Sequence, residues 1–319
     1  MLKYYLEKLD YHKMPKQLTK YLDVPSLQRL KGIGYFCGMD YASKDIYDFS
    51  ELITRYDHSL TTALLAYKLT GDLETAITGL FHDISTPCFS HVIDYMNKDY
   101  YYQESTEELT EEIIKKDKKL LECLKEDDIN PETIINFKSN SIIDIERPAL
   151  CADRLDGIIL TSIGWTKNIN KQDIDNILEN AQAFKNEQGQ NEIGFTDSNI
   201  AKRVVIINDS INRLCHSKED NYMMDLLASI TKLALGYHYI SYQDLMSLSE
   251  EEVMNIYSII NWDTFKSLFT TFKTIKKEEI EEINLPKIKE RAINPIVNGK
   301  RIKWVRKYIK YIFFFYLMI

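Results

Sequence analysis

Hydrophobic positions recur at helical spacing along most of the chain. In the run from His58 to Gly71, apolar residues stand at 60, 64, 65 and 69, which form one stripe on a helix. Gly71 can end that helix in the left-handed conformation, and Asp72 can cap a second helix that stops before Pro87. Ser90 is a candidate cap for a third, short helix. The pattern therefore predicts a helical hairpin followed by a short helix.

Later segments continue the helical pattern. Residues 105–127 carry a Ser105–Glu108 capping box, with acidic residues first and lysines further along, as the helix dipole favours. Asn130 followed by Pro131 predicts another helix start, and residues 147–160 are predicted as a helix that carries Asp153. Further helices are expected at about 172–185, 198–216, 220–238, 249–260 and 262–273, with one strand at 191–196.

This pattern predicts an all-α fold, a helical bundle with a helical C-terminal extension. The polar stretch that follows Gly164 is the best candidate boundary. It would divide the chain into a core at 1–165 and a helical region at 166–319 that completes or covers the core. Residues 300–319 form a basic and aromatic tail whose apolar run, after Lys310, is too short to span a bilayer. Packing of this tail on the body or on a partner is favoured over contact with a membrane surface.

Composition narrows the class of protein. Among 319 residues, 45% are hydrophobic and 28% charged, as in soluble globular proteins. The net charge of −8 argues against stable nucleic-acid binding but leaves room for a small anionic ligand in a local basic pocket. Five cysteines without a CxxC spacing predict reduced thiols in a cytoplasmic protein. No secretory signal is expected, because Glu7 and Asp10 interrupt the apolar run of the first helix.

Four residues form a candidate metal site: His58, the adjacent pair His82 and Asp83, and Asp153. Imidazole and carboxylate ligands together suit one divalent ion such as Mn, Fe, Zn or Mg. Neighbours within a helix point about 100° apart, so His82 and Asp83 can converge only where their helix ends, before Pro87. Each residue alone also has an ordinary structural explanation, because a single histidine at a helix start is usually a cap or a surface residue.

The order of several motifs resembles that of the HD-domain metal-dependent phosphohydrolases, and within them the deoxynucleotide triphosphohydrolase-like branch. The similar segments are QRLKGIG at 28–34, RYDHSL at 55–60, HDISTPCFSH at 82–91 and ADRLD at 152–156. The resemblance covers residues 25 to about 160, and NPIVNGKRI at 294–302 is loosely similar to later segments of that branch.

The resemblance implies a metal held by His58, His82, Asp83 and Asp153, and a metal-activated water that attacks phosphorus. Arg55 would clamp a phosphate oxygen from the same helical face as His58. His91, with Asp94 one turn later, is a candidate catalytic or phosphate-contacting pair. These roles are expectations from the motif positions in this chain.

Two further residues are expected on the substrate side. Arg154 would meet a phosphate oxygen, although a surface salt bridge to Asp156 is an equally good explanation of that residue. Gln103 stands where the branch has a histidine, and Thr86 replaces another. Neither Thr nor Gln is a general acid at neutral pH, so His91 is the remaining candidate proton donor. Tyrosines at 95 and 100–102 could stack a base, but core packing or an interface is the commoner explanation.

The sequence therefore predicts a metal-dependent phosphohydrolase that cleaves a nucleotide, for example a deoxynucleoside triphosphate, or a related small phosphate ester. We also expect a homo-oligomer. The alternative is a catalytically silent HD-like protein that binds a nucleotide or a metal for sensing or assembly. A phosphodiesterase acting on oligonucleotides fits the negative net charge poorly.

Overall fold

The computed structural model describes residues 1–101, 103, 107–280 and 288–301, and these residues are predominantly helical. The predicted all-α class is confirmed. The α-helices of the described residues are α1 Leu2–Lys8, α2 Lys16–Thr19, α3 Pro25–Arg29, α4 Arg55–Thr70, α5 Leu73–Phe81, α6 Val92–Met96, α7 Thr110–Lys116, α8 Lys118–Glu126, α9 Pro131–Ile135, α10 Ala152–Thr161, α11 Lys171–Asn180, α12 Ser198–Cys215, α13 Lys218–Gly236, α14 Tyr242–Ser247, α15 Glu250–Ile259 and α16 Asp263–Thr274.

The predicted helical hairpin is formed by α4 and α5. Thr54 and Asp57 cap the start of α4 reciprocally, since each side chain accepts a hydrogen bond from the backbone N–H of the other. Gly71 ends α4 with a φ of 68°, and Asp72 accepts a hydrogen bond from the N–H of Thr75 to start α5. These local signals determine both ends of the turn, so α5 runs back along α4.

Several predicted boundaries were wrong. Residues 105–127 do not form one helix, because Asp117 caps α8 by accepting a hydrogen bond from Leu120 and so separates it from α7. The helix predicted from residue 147 begins at Ala152. Pro148 disfavours a helical conformation at Arg147, the residue before it. Ser90 does not cap α6. The Ser105 half of the capping box lies outside the described residues.

The predicted helix at 172–185 was also too long. It ends at Asn180, and the chain continues as strand β1 Ala181–Lys185, which pairs antiparallel with β2 Asn191–Phe195. Strand β3 Ile296–Val297 lies parallel to β2, and β4 Lys300–Arg301 pairs antiparallel with β3. The sequence had predicted only the second of these strands. Part of the C-terminal extension is therefore a small sheet.

One hydrophobic cluster joins the two predicted regions of the chain. It runs from Tyr5 in α1 to Ile293, just before β3, and includes residues of α4, α5, α10, α12, α13 and α16. The division at residue 165 therefore does not separate two hydrophobic cores among the described residues. No helix in the described ranges is both long enough and apolar enough to cross a membrane. The predicted tail lies outside these ranges beyond Arg301.

Candidate metal and phosphate site

The four candidate ligands converge at the place where α4, α5 and α10 meet. His58 lies in the first turn of α4, His82 and Asp83 directly follow α5, and Asp153 lies in the first turn of α10. The Nε2 atom of His58 is 3.1 Å from Asp153 Oδ1 and 3.8 Å from Asp83 Oδ2. The Nε2 atom of His82 is 3.7 Å from Asp83 Oδ1 and 3.6 Å from Asp153 Oδ1. Two ring nitrogens and two carboxylates thus face one small space.

Both histidines are oriented by their second ring nitrogen. The Nδ1 atom of His82 lies 2.7 Å from the carbonyl oxygen of Gly79, which can only accept a proton. The Nδ1 atom of His58 lies 2.8 Å from Asp156 Oδ2. Both contacts favour a proton on Nδ1, so Nε2 is the ring nitrogen that can coordinate a metal once the metal displaces its proton. The Nε2 atom of His82 is buried and has no hydrogen-bond partner among the described residues. This donor set fits a divalent metal, and His58, His82 and Asp83 offer atoms within 4.8 Å of one another.

The electrostatics of the group also favour a cation. Burial acts to lower the pKa of His58, but hydrogen bonds to Asp153 and Asp156 outweigh it and raise that pKa to about 10. Burial acts to raise the pKa of Asp83, but the charges of His82 and Arg55 hold it well below its usual range. The carboxylates therefore stay ionised and draw positive charge to the space between them.

Arg55 lies beside the proposed ligands. Its side chain is buried, its Nη1 donates to Asp83 Oδ2 at 2.8 Å, and its Nε donates to Ser90 Oγ at 3.2 Å. The guanidinium carbon is 5.0 Å from the centre of the Tyr35 ring. These contacts fix the guanidinium at the edge of the cluster, where it can offer further N–H groups to an anion. Ser90 thus contacts Arg55 instead of capping α6.

His91 and Asp94 form a second pair near this group. The Nδ1 atom of His91 is 2.8 Å from Asp94 Oδ2, and Asp94 is fully buried. Burial lowers the pKa of His91 although Asp94 opposes that shift, and the positive charges of Arg55 and Arg291 lower it further. Asp94 thus holds the His91 ring in one orientation, an arrangement that suits proton transfer at Nε2.

One cavity of about 840 Å³ brings most of these groups to a common space, and its wall includes His82, Asp83, Asp153, Arg55 and His91. That volume is within the range of small-molecule sites in proteins. An apolar part of the same wall is formed by the aromatic side chains of Tyr35, Phe36, Phe49 and Trp165. The cavity therefore combines a polar, charged region with an aromatic, apolar region.

The remaining predicted residues also line the cavity, but with partners of their own. Arg154 donates to Asp144 Oδ1 at 3.0 Å, to the carbonyl oxygen of Ala149 and to that of Ile145. The alternative salt bridge to Asp156 is wrong, because the carboxylate of Asp156 is buried against His58.

Gln103 and the tyrosines are placed differently from one another. Gln103 accepts a hydrogen bond from Arg291 Nη2 at 3.0 Å. Tyr95 is buried and donates to Asn221, while Tyr101 is 44% exposed at the cavity. Tyr102 lies outside the described residues. Tyr95 thus combines core packing with a place in the cavity wall.

The sequence interpretation missed several residues of the site. Asp156 was signalled only by its spacing, three residues after Asp153 and so on the same face of α10. Arg147, Lys289 and Arg291 also line the cavity. No local pattern marks these three, because two of them come from a segment far along the chain.

Comparison with known proteins supports this location. Residues 55–158 match the HD domain family, a range that contains the four candidate ligands and Arg55. The chain is similar to the uncharacterized protein YdhJ of Bacillus subtilis, with 26% identity over 295 residues, 90% of this chain and 85% of that protein. It is also similar to the metal-dependent phosphohydrolase cns2 of Cordyceps militaris, with 23% identity over 194 residues, 60% of this chain and 50% of that protein.

Proposed function

We propose that this chain, which carries an HD domain over residues 55–158, is a metal-dependent phosphohydrolase that acts on a nucleotide or a related small phosphate ester. The observation that carries the proposal is the convergence of His58 and His82 Nε2 with the carboxylates of Asp83 and Asp153 at a cavity. The similarity to cns2, which is named a metal-dependent phosphohydrolase, supports the same reaction class.

In this proposal His58, His82, Asp83 and Asp153 hold one divalent ion. Such an ion supplies Lewis acidity toward a phosphoryl oxygen and lowers the pKa of a coordinated water. Arg55 binds a phosphate oxygen from the side of Asp83, 2.8 Å away, and so orients phosphorus toward the metal ligands. Its buried guanidinium stays charged, since Asp83 and the surrounding groups raise its pKa although burial opposes this.

His91 is the proposed proton donor to the leaving group. Thr86 and Gln103 cannot take that role, and His91 lines the same cavity as Arg55 with Asp94 on its Nδ1. Phosphate binding next to His91 would favour its protonated form. We therefore propose that the protein turns over substrate although Thr86 and Gln103 replace two histidines. Deoxynucleoside triphosphates are then one member of a wider class of proposed substrates.

A nucleotide fits the cavity chemically. The aromatic wall at Phe36, Phe49 and Trp165 offers an apolar surface for a base, and the charged region lies in the same cavity. A phosphate ester without a ring would leave that wall in contact with water. We therefore expect nucleotides to be better substrates than phosphorylated sugars of the same charge.

The test combines metal analysis with turnover. Purified protein should carry about one divalent metal per chain and hydrolyse at least one member of a panel of deoxynucleotides, ribonucleotides and monophosphates. His82→Ala and Asp83→Ala should each lose the metal and at least about a hundredfold in rate, because a ligand and not a peripheral contact is removed.

A surface substitution provides the matched control. Lys68 lies in α4 of the hairpin and forms an exposed ion pair with Asp10. Lys68→Ala should therefore keep both the bound metal and the rate of hydrolysis. Full turnover by either ligand variant would refute the assignment. A protein that holds the metal but is silent on the whole panel would instead be the catalytically silent alternative.

A further inference from the structure

The segment that precedes β3 lies against the HD domain region and contributes to the cavity. The backbone of Arg291 is held on both sides by α12, because its N–H donates to Asn212 Oδ1 at 2.9 Å and its carbonyl oxygen accepts from Asn208 Nδ2 at 2.8 Å. Three residues later, the N–H of Asn294 donates to the carbonyl oxygen of Pro148 at 2.8 Å. These bonds place Arg291 and Arg147, the residue before Pro148, at one side of the cavity.

Arg147, Lys289 and Arg291 form a cationic cluster in the cavity wall. Within the described ranges, no carboxylate forms an ion pair with Arg147 or Arg291, and no side chain or backbone oxygen accepts a hydrogen bond from Arg147. Arg147 Nη1 and Arg291 Nε are buried atoms without a partner in those ranges. Buried donors of this kind normally have an acceptor, so these two arginine atoms can be satisfied by an anion bound in the cavity.

The positive charges in this region repel one another. Burial, together with the charges of Arg154 and Arg291, lowers the pKa of Arg147 to about 10. Burial, Arg291 and Arg147 likewise lower the pKa of Lys289. The chain as a whole has a net charge of −8, so this local excess of positive charge runs against the overall composition. An arrangement that is unfavourable by itself is typical of a ligand site.

The cluster and the proposed reaction site lie within reach of one molecule. The charges of both Arg55 and Arg291 act on His91, and both also act on Cys37. His91 is therefore near both cations, and His91, Arg55 and Arg291 line the same cavity. Only Arg147 of the three cluster residues falls within the range that matches the HD domain.

We propose that Arg147, Lys289 and Arg291 form a second anion subsite, which binds a second phosphate group of the substrate. This rests on the proposed function, because it takes the phosphate that is cleaved to lie beside Arg55 and the metal ligands. Arginine donors can bind a phosphate in bidentate fashion, and Gln103, which accepts from Arg291 Nη2 at 3.0 Å, orients one of them. The substrate class is then a nucleotide with at least two phosphates, adjacent or on different positions of the sugar.

A binding experiment tests the subsite without turnover. Calorimetry on the metal-loaded protein would compare ethylphosphonate with alkane bisphosphonates whose two phosphonates are separated by one to four methylene groups. These probes are not hydrolysed, and the best spacer reports the distance between the two subsites. At least one bisphosphonate should bind about tenfold to a hundredfold more tightly than ethylphosphonate, the effect expected for charge-assisted hydrogen bonds.

Arg147→Met and Arg291→Met should each remove most of that advantage. Arg147→Met is the more secure variant, because the Arg147 side chain has no described partner whose loss would disturb folding. Arg213→Met, which changes an exposed arginine of α12 paired with Asp209, is the matched control and should keep the advantage. Equal binding of all probes would overturn the proposal. So would an advantage that persists in both cluster variants, since it would then arise from chelation of the metal.

Turnover separates this proposal from the proposed function. The ratio of kcat/KM for a nucleoside 3′,5′-bisphosphate or 5′-diphosphate to that for the 5′-monophosphate should exceed about ten and fall in Arg147→Met. Which of the two substrates shows the preference distinguishes a remote from an adjacent second phosphate. Hydrolysis of monophosphates without any such preference would overturn the subsite alone. Tight binding of a bisphosphonate through Arg147 by a protein without turnover would support the subsite and refute the proposed reaction.

Discussion

Asp156 lies 2.8 Å from His58 Nδ1, at a position in α10 that is fully buried. The hydroxyl groups of Thr61 and Tyr5 donate to the same carboxylate, at 2.9 and 2.7 Å. Burial raises the pKa of Asp156, while these partners and His58 oppose that shift. A carboxylate held in this way keeps a proton of His58 on Nδ1, so Nε2, which lies 3.1 Å from Asp153 Oδ1, is the nitrogen left to coordinate a metal.

Asp156→Asn should therefore weaken metal binding without removing a proposed ligand. The amide can donate to Nδ1, which would move the imidazole proton to Nε2 and block coordination. We expect a loss of about ten- to a hundredfold in metal affinity, measured by competition with a chelator. Tyr5→Phe leaves the contact between Asp156 and His58 in place and should change that affinity by less than about threefold. Unchanged affinity in Asp156→Asn would show that this carboxylate does not tune His58.

Local signals allowed the sequence to predict the hairpin of α4 and α5. A glycine with positive φ at 71, a capping aspartate at 72 and the end of α5 at Phe81 depend on residues within a few positions of each other. The same local rules predicted that two adjacent ligands must lie at a helix end. This part of the site could be predicted because its geometry is set by chain-local hydrogen bonds and helical periodicity.

The rest of the site depends on contacts between distant segments. Asp156 stands three residues after Asp153. Whether it contacts Arg154 or His58 depends on how α10 packs on α4, and in the structure it contacts His58. Arg147 and Arg291 line one cavity although they come from distant segments, which a hydrogen bond from the N–H of Asn294 to the carbonyl oxygen of Pro148 joins. β1 had a helical pattern and became a strand because β2 pairs with it. Tertiary pairing overrides local propensity in such segments.

Arg147→Met should stabilise the protein in the absence of ligand. The substitution removes a buried donor without a described partner and a charge repelled by Arg154 and Arg291. We expect the free energy of unfolding to rise by about 1 kcal/mol in phosphate-free buffer, measured by denaturant titration. Arg154→Met provides the contrast. It removes three hydrogen bonds, one to the carboxylate of Asp144, and should cost about 2 to 3 kcal/mol. Comparable losses in both variants would contradict this account of Arg147.

Arg301 should be essential for the packing of the small sheet. Its Nη1 and Nη2 atoms lie 3.0 and 2.6 Å from the two carboxylate oxygens of Glu192, which is fully buried in β2. Arg301→Met would leave that carboxylate buried without its partner, at a cost of about 3 to 5 kcal/mol in unfolding free energy. Glu187→Ala removes only the exposed partner of Arg301 and should cost less than about 1 kcal/mol. A double variant with Glu192→Leu should recover most of the loss, and failure to do so would assign the effect to Arg301 alone.

Glu250 makes the stability of the protein depend on pH. It is 1% exposed, its Oε1 accepts a hydrogen bond from the N–H of Phe89 at 2.9 Å, and its Oε2 has no described partner. Burial, together with the charge of Asp40, raises its pKa to about 8, although the hydrogen bond from Phe89 opposes that shift. Both carboxylates approach the space beside Gly34, where an added Cβ would lie 2.7 Å from each. The folded protein therefore holds a proton that the unfolded chain, with an ordinary glutamate pKa of about 4.5, releases earlier.

Stability should consequently fall as pH rises from about 4.5 to about 8, by up to about 1.4 kcal/mol per pH unit, and this contribution should then level off. Glu250→Gln keeps the size of the side chain without the titration. The unfolding free energy of the variant, relative to that of the wild type, should therefore increase as pH rises through this range. Glu251→Gln changes the exposed neighbour and should leave the wild-type slope intact. Denaturant titrations at pH 5, 6, 7, 8 and 9 provide the measurement. Parallel curves for Glu250→Gln and the wild type would mean that Glu250 is already ionised in the folded protein, with its charge stabilised by the N–H of Phe89.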